Sequence, residues 1–142
     1  MQIKLLTETA KVPTKATRGS AGYDIYADEP YLIKPNKVAV ISTGIAVSFS
    51  EKYKLEIVPR SGLAFKHGIS VINSPGTIDS DYCAEIKVGL IKHTEGDYLV
   101  QKGDRIAQMI LVPIKEVINF EVVKDFDCGD KNRGGGFGSS GK

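Results

Sequence analysis

The chain has 142 residues, 42% of them hydrophobic, which is enough for one domain with a real core. Lys plus Arg is 19 and Asp plus Glu is 17, a formal charge of +2. A surface so balanced excludes attachment to nucleic acid or membrane by bulk charge, so any anionic ligand must be met by local groups. The opening run from Met1 to Ala10 lacks the apolar stretch of a signal peptide. No apolar run approaches the ~18 residues of a transmembrane helix. Cys83 and Cys128 lie far apart without His at ligand spacing, which argues against a zinc site or a disulfide framework. The expectation is a soluble, cytoplasmic protein, or one of the host cytoplasm or nucleus if a virus encodes it.

In chain order, short alternating segments recur between Gly, Pro, Asn and Asp. They are expected as strands at Ile3–Leu6, Lys37–Ile41, Gly44–Phe49, Tyr53–Val58, Ile69 with Val71, Glu85–Leu90, Tyr98–Val100, Ile106–Val112 and Val117–Val123. The Lys-Leu-Glu-Ile core of Tyr53–Val58 alternates charged and apolar residues, as a half-buried strand does. Many short strands at this spacing predict an all-β fold, a β-sandwich, jelly roll or barrel. Ser61–Gly68 is the one helical stretch, with Ser61 as a candidate N-cap and Gly68 suited to a C-terminal cap. Residues 125–142 hold six glycines and few bulky apolar groups. They predict a flexible Gly-rich arm attached to a domain over 1–124.

Four places carry the candidate chemistry. Asn73–Tyr82, N-S-P-G-T-I-D-S-D-Y, is a turn by composition that presents Asp79 and Asp81 beside Tyr82. An isolated Asp in a turn most often bonds its own backbone, so the rest of the chain decides its role. Pro59-Arg60-Ser61-Gly62 leads from a strand into the helix and offers a guanidinium beside free backbone N–H groups, parts that suit phosphate oxygens. Gln108 is polar inside an apolar run, and Asp24 sits inside another, so each needs a buried partner or a ligand. The arm ends R-G-G-G-F-G-S-S-G-K: a cation, bare backbone, one aromatic and two hydroxyls, the parts for clamping an anion and stacking on a ring. Its G-x-x-x-x-G-K spacing lacks the flanking strand, helix and Ser or Thr of a P-loop. His67 and His93 lack the context of a catalytic base and read as surface residues.

Five stretches in order resemble the motifs of the trimeric dUTPase family (deoxyuridine 5'-triphosphate nucleotidohydrolases). They are A-G-Y-D-I-Y-A at 21–27, P-R-S-G-L-A at 59–64, G-T-I-D-S-D-Y at 76–82, G-D-R-I-A-Q-M at 103–109 and R-G-G-G-F-G-S-S-G at 133–141. The resemblance implies a jelly roll in a homotrimer whose subunits share each active site, with the arm of one subunit closing a site on its neighbours. It implies hydrolysis of dUTP to dUMP and pyrophosphate with Mg²⁺ on the triphosphate, which keeps uracil out of DNA and supplies dUMP for thymidylate synthesis. By the same resemblance, Asp79 activates the water that attacks the α-phosphorus, and Tyr82 underlies the deoxyribose. Asn73 reads the uracil edge, with Gly76 and Ile78 of the same hairpin completing the base pocket. Arg60, Ser61, Gly62 and Gln108 hold the phosphates, and Asp24 meets Mg²⁺ through water. Arg133, Ser139 and Ser140 reach the γ-phosphate, while Phe137, followed by Gly138, stacks on the base. Two departures stand out: Cys83-Ala84 follows Tyr82 where many relatives have Arg-Gly or Gln-Gly, and Thr77 replaces an aliphatic residue. Cys83 reads as a packing residue.

Two other functions compete. A dCTP deaminase of the same fold would need a deaminating Glu and contacts for cytosine, where this chain has Asp79 and a complete arm. A regulatory protein that engages a protein partner through dUTP-controlled closure of the arm would be favoured by an inserted domain, which the spacing of the five stretches leaves no room for.

Overall fold

In the computed structural model, the described residues are 1–115 and 118–125. Eleven strands and one helix follow in order: β1 Gln2–Leu5, β2 Tyr23–Tyr26, β3 Tyr31–Ile33, β4 Val38–Ser42, β5 Ile45–Ser48, β6 Tyr53–Val58, α1 Ser61–His67, β7 Ile69–Val71, β8 Gly76–Ile78, β9 Lys87–Lys92, β10 Tyr98–Val100 and β11 Arg105–Pro113. All the strand pairs are antiparallel. They form a sheet in the order β2-β11-β6-β8, a second in the order β4-β9-β7, and the pairs β1-β5 and β10-β3. The all-β expectation therefore holds, as a jelly-roll fold with one short helix.

Alternation explains which side chains go inside. On β9, Val88, Leu90 and Lys92 are buried while their neighbours are more exposed. On β6 the buried residues are Leu55 and Ile57. These join Ile25, Ile33, Ile41, Ile69, Ile86 and Ile106 in one core cluster. Each such side chain contributes about 1.5–3 kcal/mol relative to exposure, so the core is built from many short strands rather than from the helix. The buried Thr43 hydroxyl donates to the Ile86 carbonyl. Lys92 is 5% exposed, and its Nζ donates to the carbonyls of His67 at 3.2 Å, Thr94 at 3.0 Å and Glu95 at 3.1 Å. A buried ammonium at the C-terminal end of α1 satisfies a helix carbonyl and complements the helix dipole.

Several sequence expectations shift. Arg60, not Ser61, is the residue that caps α1: it is extended, at φ −92° and ψ 131°, and offers no side-chain cap bond, while Ser61 begins the helix. Gly68 does close α1 in the left-handed region, at φ 64°. The expected Glu85–Leu90 strand runs from Lys87 instead, where the pairing with β4 ends at Ser42, and the Glu85 Oε1 accepts from Gly44 N at 3.0 Å. Two three-residue strands, β3 and β8, have no expectation behind them. In the expected strand Val117–Val123, residues 118–123 are not extended into any ladder, and Val117 lies outside the described residues. Ile118, Phe120 and Val122 are exposed there, so an alternation suited to a strand has no partner strand beside it among the described residues. Cys83 is exposed in the single chain, where it lines a hollow beside β1 and β5.

Candidate active site

The central strand β11 does most of the positioning. It is paired on both edges, and its Gln108 lies opposite Asp24 of β2 on one side and Val58 of β6 on the other. Asp24 lies on the edge strand β2, bridged on its outer side to Thr14, and is 2% exposed. Its Oδ1 accepts from Gln108 Nε2 at 3.1 Å and from Arg60 Nε at 3.1 Å. Its Oδ2 accepts from Arg105 Nη1 at 3.3 Å. Arg60 also donates from Nη1 to the Arg105 carbonyl at 3.1 Å. A carboxylate buried without partners would cost several kcal/mol, and these donors engage both oxygens of Asp24. Gly22, next to this strand, is small for a reason: a Cβ there would stand 3.1 Å from Gln108 Cβ. At Gly62 a Cβ would meet nothing within 4 Å, so one side of the Arg60-Ser61-Gly62 backbone is open to an incoming group.

A hollow of about 150 Å³ opens beside this cluster, lined by Arg60, Leu63, Tyr98, Asp104 and Arg105 among others. The Tyr98 phenol ionises above its usual 10.0, first because it is buried and then because of the Asp104 charge, with Arg60 opposing. Its ring packs on His67 at a centroid distance of 4.7 Å. A larger hollow, about 590 Å³, lies away from the cluster between β1, β5 and Cys83. Its lining is mostly apolar and brings none of these charged groups together, so the chemistry is not there.

The Asn73–Tyr82 hairpin forms the second group. Gly76 and Ile78 begin and end β8, on the edge of the same sheet. The Asn73 amide lies over Gly76, where a Cβ would stand 3.3 Å from Nδ2. After β8 the chain turns, with Tyr82 N donating to Asp79 O at 3.1 Å. The Tyr82 hydroxyl donates to the Glu85 carbonyl at 2.9 Å, which fixes the ring while leaving it 43% exposed. Asp79 and Asp81 are both exposed. Among the described residues neither carboxylate takes up a hydrogen bond or an ion pair, so the self-capping role common for Asp in turns is not the one adopted.

The Asp79 end of the hairpin lies apart from the Asp24 cluster along β6. Ile57 pairs with Gly76 and Leu55 with Ile78, so Asp79 continues toward Lys54 as Arg60 continues the other way. Six residues of extended chain separate those levels, about 20 Å at the usual strand rise. The arm residues Arg133, Phe137, Gly138, Ser139 and Ser140 lie outside the described residues. One contributor escapes the sequence reading: Arg105. It stands an odd number of positions from Gln108, which on a regular strand puts the two on opposite faces.

A sequence model of the dUTPase family matches residues 8–141. The chain belongs to the dUTPase family. A deoxyuridine 5'-triphosphate nucleotidohydrolase from Nautilia profundicola is 46% identical over 143 residues, covering 100% of this chain and 99% of that one. One from Clostridium tetani is 46% identical over 142 residues, covering 100% and 97%. Among solved structures, the Staphylococcus bacteriophage 80alpha dUTPase with dUPNHPP superposes with a TM-score of 0.88 at 30% identity, covering 99% of this chain and 98% of that one. A dUTPase mutant from phage phi11 of S. aureus, described with a structural Mg(II) ion, gives 0.81 at 27% identity, covering 89% and 97%. The stretches 21–27, 59–64 and 103–109 supply the Asp24 cluster, and 76–82 belongs to the hairpin.

Proposed function

We propose that this dUTP diphosphatase hydrolyses dUTP to dUMP and pyrophosphate at sites built between the subunits of a homotrimer, each site pairing the Asp24 cluster of one subunit with the Asp79 hairpin of another. The observation that carries this reading is the separation of the two groups along β6. Hydrolysis needs the water-activating carboxylate and the phosphate contacts together, and the register sends Asp79 and Arg60 toward opposite ends of one strand. Exposed apolar side chains on the sheet faces, Val38, Val40, Ile72 and Leu99 among them, supply area for neighbouring subunits.

In the proposed site, the Asn73 amide reads the uracil edge, with the close backbone at Gly76 and the Ile78 side of the hairpin shaping the pocket. Tyr82, fixed by its hydroxyl bond, packs under the deoxyribose and leaves no room for a 2'-hydroxyl. Arg60, the Ser61 and Gly62 backbone, and Gln108 hold the phosphates. Asp79, exposed and without a partner among the described residues, orients a water and takes its proton as the water oxygen bonds to the α-phosphorus. The bond from that phosphorus to the bridging oxygen breaks, and pyrophosphate leaves with the electron pair. General-base help of this kind is worth ~10²–10⁴-fold. Residues 125–142 act as an arm that closes over the bound nucleotide, Phe137 with Gly138 against the base and Arg133, Ser139 and Ser140 on the γ-phosphate.

The donor set fits Mg²⁺ only as an ion carried by the triphosphate. Among the described residues no three His, Cys, Asp or Glu side chains gather as ligands. Asp24, with both oxygens engaged, would reach such an ion through water, as Mg²⁺ commonly allows. The chemistry supplied by the bound ion is neutralisation of charge on the leaving pyrophosphate. The reading also includes a cytoplasmic location and the metabolic roles of sparing DNA from uracil and making dUMP. No described helix is long and apolar enough to cross a membrane.

The test is pyrophosphate release from dUTP, UTP, dTTP and dCTP in parallel, with and without Mg²⁺. Release from dUTP alone, stimulated by Mg²⁺, is expected. Equal turnover of UTP would remove the role given to Tyr82, and ammonia released from dCTP would point to a deaminase.

A further inference from the structure

We propose that Glu85 is a positioning residue for sugar selection. By tying the chain after Tyr82 to the turn at Gly44, it sets how deep the Tyr82 ring stands and so how strictly a 2'-hydroxyl is refused. The proposal rests on the reading of Tyr82 as the ring beneath the deoxyribose. Tyr82 is 43% exposed, so packing alone leaves much of it uncovered, and its hydroxyl donates to the Glu85 carbonyl at 2.9 Å. The place of that carbonyl therefore sets the place of the ring. Among the described residues no hydrogen bond holds Cys83 or Ala84. The ladder of β9 with β4 starts only at Lys87, opposite Ser42. The carbonyl that orients Tyr82 thus lies between a turn and a strand, where no ladder fixes it.

The Glu85 side chain fills that gap. Its Oε1 accepts from Gly44 N at 3.0 Å. Two bonds accompany it in step: the Thr43 hydroxyl donates to the Ile86 carbonyl, and Ile86 N donates to the Ile45 carbonyl at 2.9 Å. Thr43 is 1% and Ile86 0% exposed, so the tie sits at the margin of the core. Lys87 Nζ stands 3.5 Å from Oε2 and leaves Oε1 to Gly44. The donor is itself held fast. Gly44 has φ +65°, and a Cβ there would stand 2.8 Å from Ala10 Cβ and 2.9 Å from Asp28 Oδ2. Its carbonyl accepts from Leu6 N at 2.8 Å. The Asp28 carboxylate beside it accepts from the Thr7 and Thr9 hydroxyls at 2.8 and 2.7 Å. A backbone N–H donating to a carboxylate makes a charge-assisted bond, stronger than a neutral one. One chain of contacts therefore runs from Thr7 and Asp28 through Gly44 and Glu85 to Tyr82. A pocket that refuses one hydroxyl needs its wall held within about 0.5 Å, and Glu85 supplies that from outside the pocket.

Pyrophosphate release from dUTP and from UTP by the same preparation of the full chain tests this, read as the ratio of the two kcat/KM values. Partial unfolding lowers both rates alike, so a merely structural role for Glu85 leaves the ratio unchanged. For Glu85→Ala the dUTP-to-UTP ratio is expected to fall roughly tenfold, as for the loss of one charge-assisted hydrogen bond. Glu85→Gln keeps an acceptor oxygen and holds the ratio near the parent's. Tyr82→Phe keeps the ring without its hydroxyl and is expected to fall by a similar factor. The double variant falls no further than either single one, since both remove the same link. A parental ratio in Glu85→Ala overturns the proposal, as does a double variant whose loss is the product of the single losses. Where Glu85→Ala does not fold, Tyr82→Phe carries the test, and a parental ratio there overturns the proposal equally. Calorimetric titration of the parent with non-hydrolysable α,β-imido-dUTP separates the two ways of failing. A parent that does not bind the analogue refutes the dUTP reading itself, whereas a binding parent with an unaffected Glu85→Ala ratio refutes this inference alone.

Discussion

Asp79 and Asp24 are both aspartates in strand-flanking sequence, yet their surroundings assign them opposite work. Asp79 is exposed and takes no side-chain partner among the described residues, as the proposed water-activating role requires. Asp24 is buried and saturated by donors from three residues, so it organises other groups. Asp79→Asn keeps the shape and hydrogen-bonding reach of the side chain but not its basicity. It is expected to leave imido-dUTP binding intact and to lower the single-turnover rate by about 10²–10⁴-fold; a variant with parental turnover would show that the base lies elsewhere. Tyr98 gives a pH prediction with a definite sign. Its folded-state ionisation lies above the usual 10.0, so the folded protein holds the phenolic proton more tightly than the unfolded chain. The associated stability is complete below that usual value and is lost as pH rises through the raised one. Denaturation midpoints followed across this alkaline window should fall less steeply for Tyr98→Phe than for the parent. Of these residues, Asp79, Arg60 and Gln108 could be found from the sequence, because polar groups at turns or inside apolar runs stand out. Arg105 could not, since its approach to Asp24 depends on a slip in register that no spacing rule reports.

Elements that bury their own alternation could be anticipated, and those that depend on a neighbour could not. Tyr53–Val58 becomes β6 at the expected bounds, because charged and apolar residues alternate and both edges find partners. Strand β3 has only three residues and β8 is embedded in turn residues, so neither carries a periodic signal of its own. Ile118, Phe120 and Val122 carry the signal without the strand, with Val122 98% exposed. Alternation specifies which face is apolar but cannot create the second strand that a ladder requires. The turn from α1 into β7 depends instead on one residue. Gly68 has φ +64°, and a Cβ there would stand 2.5 Å from Thr94 Cγ2. Gly68→Ala combines left-handed strain with overpacking against Thr94, so a loss of about 2 kcal/mol or more is expected in chemical denaturation. Gly62→Ala, where a Cβ meets nothing within 4 Å, should leave stability near the parent's while weakening imido-dUTP binding; a stability loss equal to that of Gly68→Ala would show that the open backbone at Gly62 is structural.

For the whole molecule, register is the decisive quantity. Ile57 opposite Gly76 sends the Arg60 and Asp79 ends apart, and no flexing of side chains spans a gap of about 20 Å in a packed sheet. In the proposed reading a complete site takes residues from more than one subunit, and closed cyclic symmetry supplies equivalent sites without leaving unused halves. Removing residues 133–142 should sharply reduce turnover while sedimentation still reports a trimer; full activity after the removal would exclude the arm as a lid. Subunit mixing tests the shared site most directly. Arg60→Ala and Asp79→Asn proteins, each inactive alone, are unfolded together, refolded as mixed trimers and assayed for pyrophosphate release from dUTP. Random mixing in a site built across subunits predicts recovery of roughly a quarter of parental activity, because that share of sites takes both intact residues. Mixed trimers as inactive as the separate variants would contradict it, placing Arg60 and Asp79 in one site on one chain.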